Sequence, residues 1–280
     1  MAMVRNLLIL LSFLLLVTAC KKDKVPDIVP PEPQIIETEP VILTLKKKSL
    51  SAPFRGYYEG LPVHYSESNQ RYPLLVFLHG IGQRGDGDGQ LFTVGQDGLG
   101  KLLETRSLPP NFVVNGKNFS FIYICPQYWE TPTGEDVKRL MDTLKAKYRI
   151  DISRIYLAGL SVGGIVTTEA AASYPYLYAA ISAMGGTTAS GLPGNFAAKC
   201  KGISDAKLPI WAFHNEFDPT IPRYQTEEFI NKVKSYNPLV VPKYTLYLGS
   251  YDHNVWGRAL NPATKEDGMN VYEWMLQYKR

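Results

Sequence analysis

Three residues of this chain stand in contexts that would turn a hydroxyl into a nucleophile. Ser161 lies in Gly159-Leu160-Ser161-Val162-Gly163, directly after the apolar run Ile155 to Ala158 and before small, helix-forming residues. That pattern predicts a strand delivering a serine into a strained turn, with a helix leaving it and the hydroxyl free at the sheet edge. A serine hydroxyl is a weak nucleophile until a base takes its proton, which an imidazole does near neutral pH when a carboxylate orients it. Two of the four histidines follow Ser161. His253, in the polar loop Gly249 to Trp256 beyond a strand-like run, is the expected base. Asp218, in His214-Asn215-Glu216-Phe217-Asp218-Pro219-Thr220-Ile221-Pro222, falls between a strand and a helix opened by Pro222 and is the expected acid. Glu216 is its rival, close enough in sequence to reach the same ring. Asp252 adjoins the base and would not face it, and His214 is expected to hold the acid loop by hydrogen bonding.

Acyl-transfer chemistry also needs donors for the negative oxygen that develops in the transition state. Backbone amides supply them, one from the residue after the nucleophile and one from the loop after an earlier strand. The expected pair is Val162 N–H and Ile81 N–H, the latter in His79-Gly80-Ile81-Gly82 at the end of Leu74 to Leu78. His79 is expected to be structural and His64 an ordinary surface residue. The stretch Arg84 to Gly89 alternates Asp86, Asp88 and Gln90 as a calcium loop does, with Asp97 beyond, but Leu91 stands where such a loop requires glycine. It is therefore expected to be a loop lining the site, and no metal or cofactor is implied.

Positioning these residues requires a sheet. Val41 to Leu45 and Tyr57 to Tyr65 predict a short antiparallel start. Continuous apolar runs follow at Leu74 to Leu78, Phe119 to Ile124, Ile155 to Ala158, Tyr178 to Met184, Pro209 to Phe213 and Tyr244 to Leu248. Unbroken apolar strands are buried on both faces, which predicts a mainly parallel sheet covered by helices. Helical spacing places helices at Glu135 to Tyr148, Val162 to Ser173, Pro222 to Ser235 and Gly268 to Tyr278. The loop Gly185 to Lys207 is the expected cap position, too short for a full lid. The fold class is α/β, one domain from residue 41 to 280.

The first forty residues read differently. Arg5, the apolar stretch Leu7 to Val17, and Val17-Thr18-Ala19-Cys20 predict a secretory signal over residues 1–19, too short to span a bilayer. The small residue before cysteine resembles the bacterial lipobox, which would make Cys20 the lipidated N-terminus and the membrane a partner through that lipid. Lys21 rather than Asp then implies the outer membrane or cell surface. Residues 20–40, rich in proline and charge, are expected to be an extended tether. Cys125 and Cys200 have two readings, a disulfide permitted by export or separate buried thiols. A net charge of +4 with no basic cluster interleaved with aromatics gives no support to nucleic-acid binding.

Taken together, the motifs resemble the α/β-hydrolase superfamily over nearly all of Tyr57 to Tyr278, in particular its secreted esterases. These include the phospholipase/carboxylesterase and dienelactone-hydrolase-like groups and the feruloyl-esterase, polyhydroxyalkanoate-depolymerase and predicted-peptidase relatives. The family's H-G-x-G is His79 to Gly82, its G-x-S-x-G-G is Gly159 to Gly164, and its H-N-x-W is His253 to Trp256. Its H-G-x-x-D-x-x-V-P reads as His214 to Pro222, with Asn215 for glycine and Ile221 for valine. The resemblance implies a serine ester hydrolase acting through Ser161, His253 and Asp218, with acyl or feruloyl esters on polysaccharides as candidate substrates. A serine peptidase with the same residues, or a non-catalytic surface binding protein on this scaffold, are the alternatives.

Overall fold

The computed structural model describes residues 35–280. The expected signal at 1–19 and the lipidation site Cys20 lie outside the described residues. Among the described residues, ten strands and seven α-helices follow in chain order: β1 (Ile42–Lys46), β2 (Phe54–Leu61), β3 (Tyr72–Leu78), α1 (Gly98–Glu104), β4 (Phe112–Val114), β5 (Lys117–Phe119), β6 (Ile122–Tyr128) and α2 (Gly134–Lys147). The second half comprises β7 (Ile150–Leu160), α3 (Val162–Ser173), β8 (Ala180–Met184), α4 (Phe196–Asp205), β9 (Ile210–Asn215), α5 (Tyr224–Lys234), β10 (Lys243–Tyr247), α6 (Trp256–Ala259) and α7 (Val271–Leu276).

Eight strands form one sheet in the order β1-β2-β6-β3-β7-β8-β9-β10, while β4 and β5 make a separate hairpin. The pairings β1–β2 and β2–β6 are antiparallel, and every pairing from β6 through β10 is parallel. This is the expected α/β-hydrolase architecture, a mostly parallel sheet after an antiparallel start. All seven residues of β3 are buried: Leu75 and Phe77 join one apolar cluster while Leu74, Val76 and Leu78 join a second. Successive strand residues point to opposite faces, so the two clusters are the cores above and below the sheet. Cys125 lies in the first and Cys200 in the second, which rules out a disulfide, and both thiols are free and buried.

The helices cover those faces for reasons visible in their sequences. In α2, Thr133 Oγ1 accepts from Asp136 N while Asp136 returns a bond to Thr133 N, a capping box that starts the helix. Val137, Leu140, Met141 and Leu144 then share one buried face, each side chain worth roughly 1.5–3 kcal/mol on burial. The segment expected as a cap, Gly185 to Lys207, instead contains α4, which packs beside α3 and α5 and sinks Cys200 and Ile203 into the core. The expected boundary at residue 41 also moves. The folded part begins before it, since Glu37, placed by sequence in a solvated tether, is only 1 % exposed.

Candidate active site

The site is assembled at the carboxyl ends of the parallel strands. β7 ends at Leu160 and α3 begins at Val162, so Ser161 alone makes the turn, at φ 53° and ψ −123°. A non-glycine residue at positive φ costs of order 1–3 kcal/mol and persists only where its surroundings hold it. Here Ser161 N donates to Met184 O at the end of β8 (2.8 Å), while Gly164 N and Ile165 N close onto Ser161 O. The glycines beside the serine are required by close approach. A Cβ on Gly163 would stand 2.1 Å from Leu78 O and 2.5 Å from His79 O, so α3 is seated on the end of β3. A Cβ on Gly80 would lie 3.5 Å from that of Ser161, so the loop after β3 borders the serine directly.

The structure brings Ser161, His253 and Asp218 into one hydrogen-bonded chain. Ser161 Oγ lies 2.9 Å from His253 Nε2, and His253 Nδ1 lies 2.6 Å from Asp218 Oδ2. The carboxylate is held from its other side, since Oδ1 accepts from Thr220 N (2.8 Å) and Ile221 N (3.0 Å). An ionised carboxylate can only accept, so Nδ1 carries the proton and Nε2 is left to accept from the serine. Glu216, the rival acid, accepts from Gly249 N (2.8 Å) and does not meet the ring, and Asp252 accepts from Asn254 N (2.8 Å).

His214 occupies the holding role expected of it. Its Nδ1 meets Thr226 Oγ1 (2.9 Å), and its Nε2 lies 2.8 Å from Ile221 O and 3.3 Å from Asp218 Oδ2. Burial pushes its pKa down, so the ring is neutral and its Nε2–H donates toward the acid loop. His79 is likewise buried and structural. Burial lowers its pKa to about 4, and the neutral ring lies between Gly80 O, 2.6 Å from Nδ1, and Tyr128 N, 3.1 Å from Nε2. It also stacks on the Tyr128 ring, 3.8 Å between centroids. His64 is more engaged than a surface residue would be, with Nδ1 2.9 Å from Glu37 Oε2.

Ile81 opens a single 3-10 turn, Ile81–Gln83, and Val162 opens α3. The first N–H of a helix has no acceptor within it, so both amides are left to bind something else. The loop carrying Ile81 is braced from below by two buried glutamines. Gln83 Oε1 accepts from Gly80 N (3.2 Å), and Gln127 Nε2 donates to Gln83 O (3.0 Å) and Gln90 O (2.8 Å). The acidic residues of the calcium-like stretch are otherwise committed: Asp86 Oδ1 accepts from Asp88 N and Gln90 N, and Asp88 pairs with Lys48 at 2.8 Å.

Sequence reasoning missed Asp97. Its Oδ1 accepts from Gly98 N and from Trp256 Nε1, each at 2.8 Å, and the Trp256 ring meets His253 edge-on at 5.0 Å. The contact joins parts of the chain 159 residues apart, and no local pattern announces it.

Residues 111–265, more than half of the chain, match the phospholipase/carboxylesterase family. The chain belongs to that family. The mostly parallel sheet described above is that of the α/β-hydrolase fold. The chain is 25% identical over 214 residues to poly(3-hydroxyalkanoate) depolymerase C of Paucimonas lemoignei, an alignment covering 67% of this chain and 50% of that one. The chain thus spans about half the length of this curated relative. Among solved structures it is similar to a thermostable esterase (TM-score 0.56, 22% identity, 86% of this chain and 63% of that one). It is also similar to the feruloyl esterase module of Clostridium thermocellum (TM-score 0.52, 13% identity, 79% and 84%). A third is a ferulic acid esterase of the anaerobic fungus Anaeromyces mucronatus (TM-score 0.51, 16% identity, 78% and 87%). At these identities the structural likeness is one of fold.

Proposed function

We propose that the protein is a serine ester hydrolase in which Ser161, His253 and Asp218 are the catalytic residues. The observation that carries this is the unbroken chain from Ser161 Oγ through the His253 ring to Asp218, at 2.9 and 2.6 Å, with the serine on a strained turn. His253 Nε2 takes the hydroxyl proton as Oγ attacks the ester carbonyl carbon. Asp218 holds the tautomer and stabilises the imidazolium that forms. Ile81 N–H and Val162 N–H bind the oxyanion, and His253 returns its proton to the departing alcohol, leaving an acyl group on Ser161. Water, deprotonated by the same ring, releases the acid. Acyl or feruloyl groups on polysaccharides are the proposed substrates, supported by the feruloyl esterases among proteins of similar fold. The lipid anchor on Cys20 and a location in the bacterial envelope belong to the same proposal.

The test is a fluorophosphonate probe together with short p-nitrophenyl esters, comparing wild type with Ser161→Ala. Wild type is expected to label and turn over, and the variant to lose labelling and about 10⁴-fold or more in kcat. A wild-type protein that neither labels nor hydrolyses would reject the reading. Feruloylated sugars, acetylated xylan and peptide amides, compared by kcat/KM, then decide the leaving group.

A further inference from the structure

We infer that Asn215 is a positioning residue for His253, acting through the peptide that precedes the ring. The inference rests on the reading of Ser161, His253 and Asp218 as the reacting groups. Asn215 is the last residue of β9, 3 % exposed, and its neighbour across the sheet is Tyr247 at the end of β10. Its Nδ2 donates to Asp252 O at 2.9 Å and to Asp252 Oδ1 at 3.0 Å. Both partners are acceptors, so only the amide NH₂ fits there and the orientation of the side chain is determined by chemistry.

The position of these bonds gives them their consequence. Asp252 O belongs to the peptide unit joining Asp252 to His253, and fixing that oxygen fixes the plane from which the His253 backbone departs. The same Asp252 carboxylate oxygen accepts from Asn254 N (2.8 Å), so one buried amide and one carboxylate clamp the residues on both sides of the histidine. β9 leads straight from Asn215 into the acid loop, and His214, the residue before Asn215 in that strand, has its Nε2 3.3 Å from Asp218 Oδ2. Asn215 therefore ties the loop that bears the base to the strand that bears the acid. A neutral amide does this without placing a cation beside the Asp218–His253 pair, where it would compete for the carboxylate. At this position the family pattern has glycine, which has no side chain to make the link.

The experiment uses the full chain with Asn215→Asp, which keeps the shape and removes the donors, and Asn215→Ala, which removes the link without adding charge. Steady-state kinetics on a p-nitrophenyl ester are read beside the downfield proton resonance of His253 Nδ1–H and the thermal midpoint. The expected result is a kcat lower by about tenfold to a hundredfold in Asn215→Asp, with KM within about threefold and the resonance broadened or lost. Asn215→Ala is expected to show a smaller loss of the same kind. The inference is overturned if both variants keep kcat within about twofold with the resonance intact, or if kcat falls only in proportion to unfolded protein. Should Asn215→Asp not fold, Asn215→Ala decides alone. Should wild type prove inactive while the resonance is present and is lost in the variants, the functional reading fails and the positioning role stands.

Discussion

At the scale of single residues, the site depends on imidazoles being kept in defined states, and three of the four histidines illustrate two means. His253 is oriented by a carboxylate, whereas His79 and His214 are neutral because they are buried. The His79 ring must accept at Nε2 from Tyr128 N–H, and a protonated ring would set donor against donor there. Its folded pKa of about 4 lies below the ordinary histidine value of 6.5, so between them the unfolded chain binds more protons than the folded one. Stability from this residue is complete above the unfolded value and is lost as pH falls toward the folded one. Between about pH 8 and about pH 5 the loss is about 2 kcal/mol, and His214, shifted in the same direction, adds to it. Urea denaturation at those two pH values is expected to show this fall, and His79→Gln, whose Oε1 can still accept from Tyr128 N, is expected to lessen it. A pH slope unchanged by His79→Gln would contradict the assignment.

At the scale of elements, Ser161, Asp218 and His253 were legible because each sits where a change of pattern is written in the sequence: an apolar run ending in glycines, a proline-started helix, a polar loop after the last strand. Elements whose signals were mixed were harder. Phe119 to Ile124 reads as one apolar strand, but Phe119 belongs to the hairpin β4–β5, whose turn is Asn115-Gly116 with both residues at positive φ. That dipeptide is a strong hairpin signal and was available. β6 then runs on to Tyr128 through Pro126 and Gln127, residues that ordinarily argue against a buried strand. Gln127 is tolerated because Gln83 O, Gln90 O and Gly87 N satisfy its amide, and those partners come from a loop that no strand pattern predicts. The seating of α3 on β3 has the opposite character, being fully encoded by Gly163. Gly163→Ala would drive a methyl against Leu78 O and His79 O and push the helix away. It is expected to cost about 1–3 kcal/mol in stability and to lower kcat by displacing Val162 N–H from Ile81. Chemical denaturation together with ester kinetics checks both, and a variant with wild-type kcat would separate the seating from the oxyanion role.

At the scale of the whole molecule, the folded unit is completed by a segment that its composition assigns to the tether. Glu37 enters the domain beneath β3, where its Oε2 lies 2.9 Å from His64 Nδ1 and its Oε1 accepts from Tyr72 OH at 3.4 Å. Its carbonyl accepts from Asn111 Nδ2 (2.7 Å), and nearby Ile35 N donates to Gln70 Oε1 (2.9 Å). A chain begun at Val41 would leave Tyr72, Asn111 and His64 without these partners. Compared with a chain begun at Gln34, its thermal midpoint is expected to be lower by roughly 2 to 8 °C. The His64 part of that difference is pH-dependent. The Glu37 carboxylate raises the His64 pKa above 6.5, so its contribution is full below the unfolded value and fades as pH rises through the folded one. The bonds from Asn111 and Ile35 do not titrate, and the difference should therefore narrow with rising pH without closing. Midpoints of the two chains measured at about pH 5.5 and about pH 8.5 test this directly. Equal midpoints at both values would mean that residues 35–40 lie on the domain without stabilising it. A gap that widens with pH would mean that His64 is not the titrating partner.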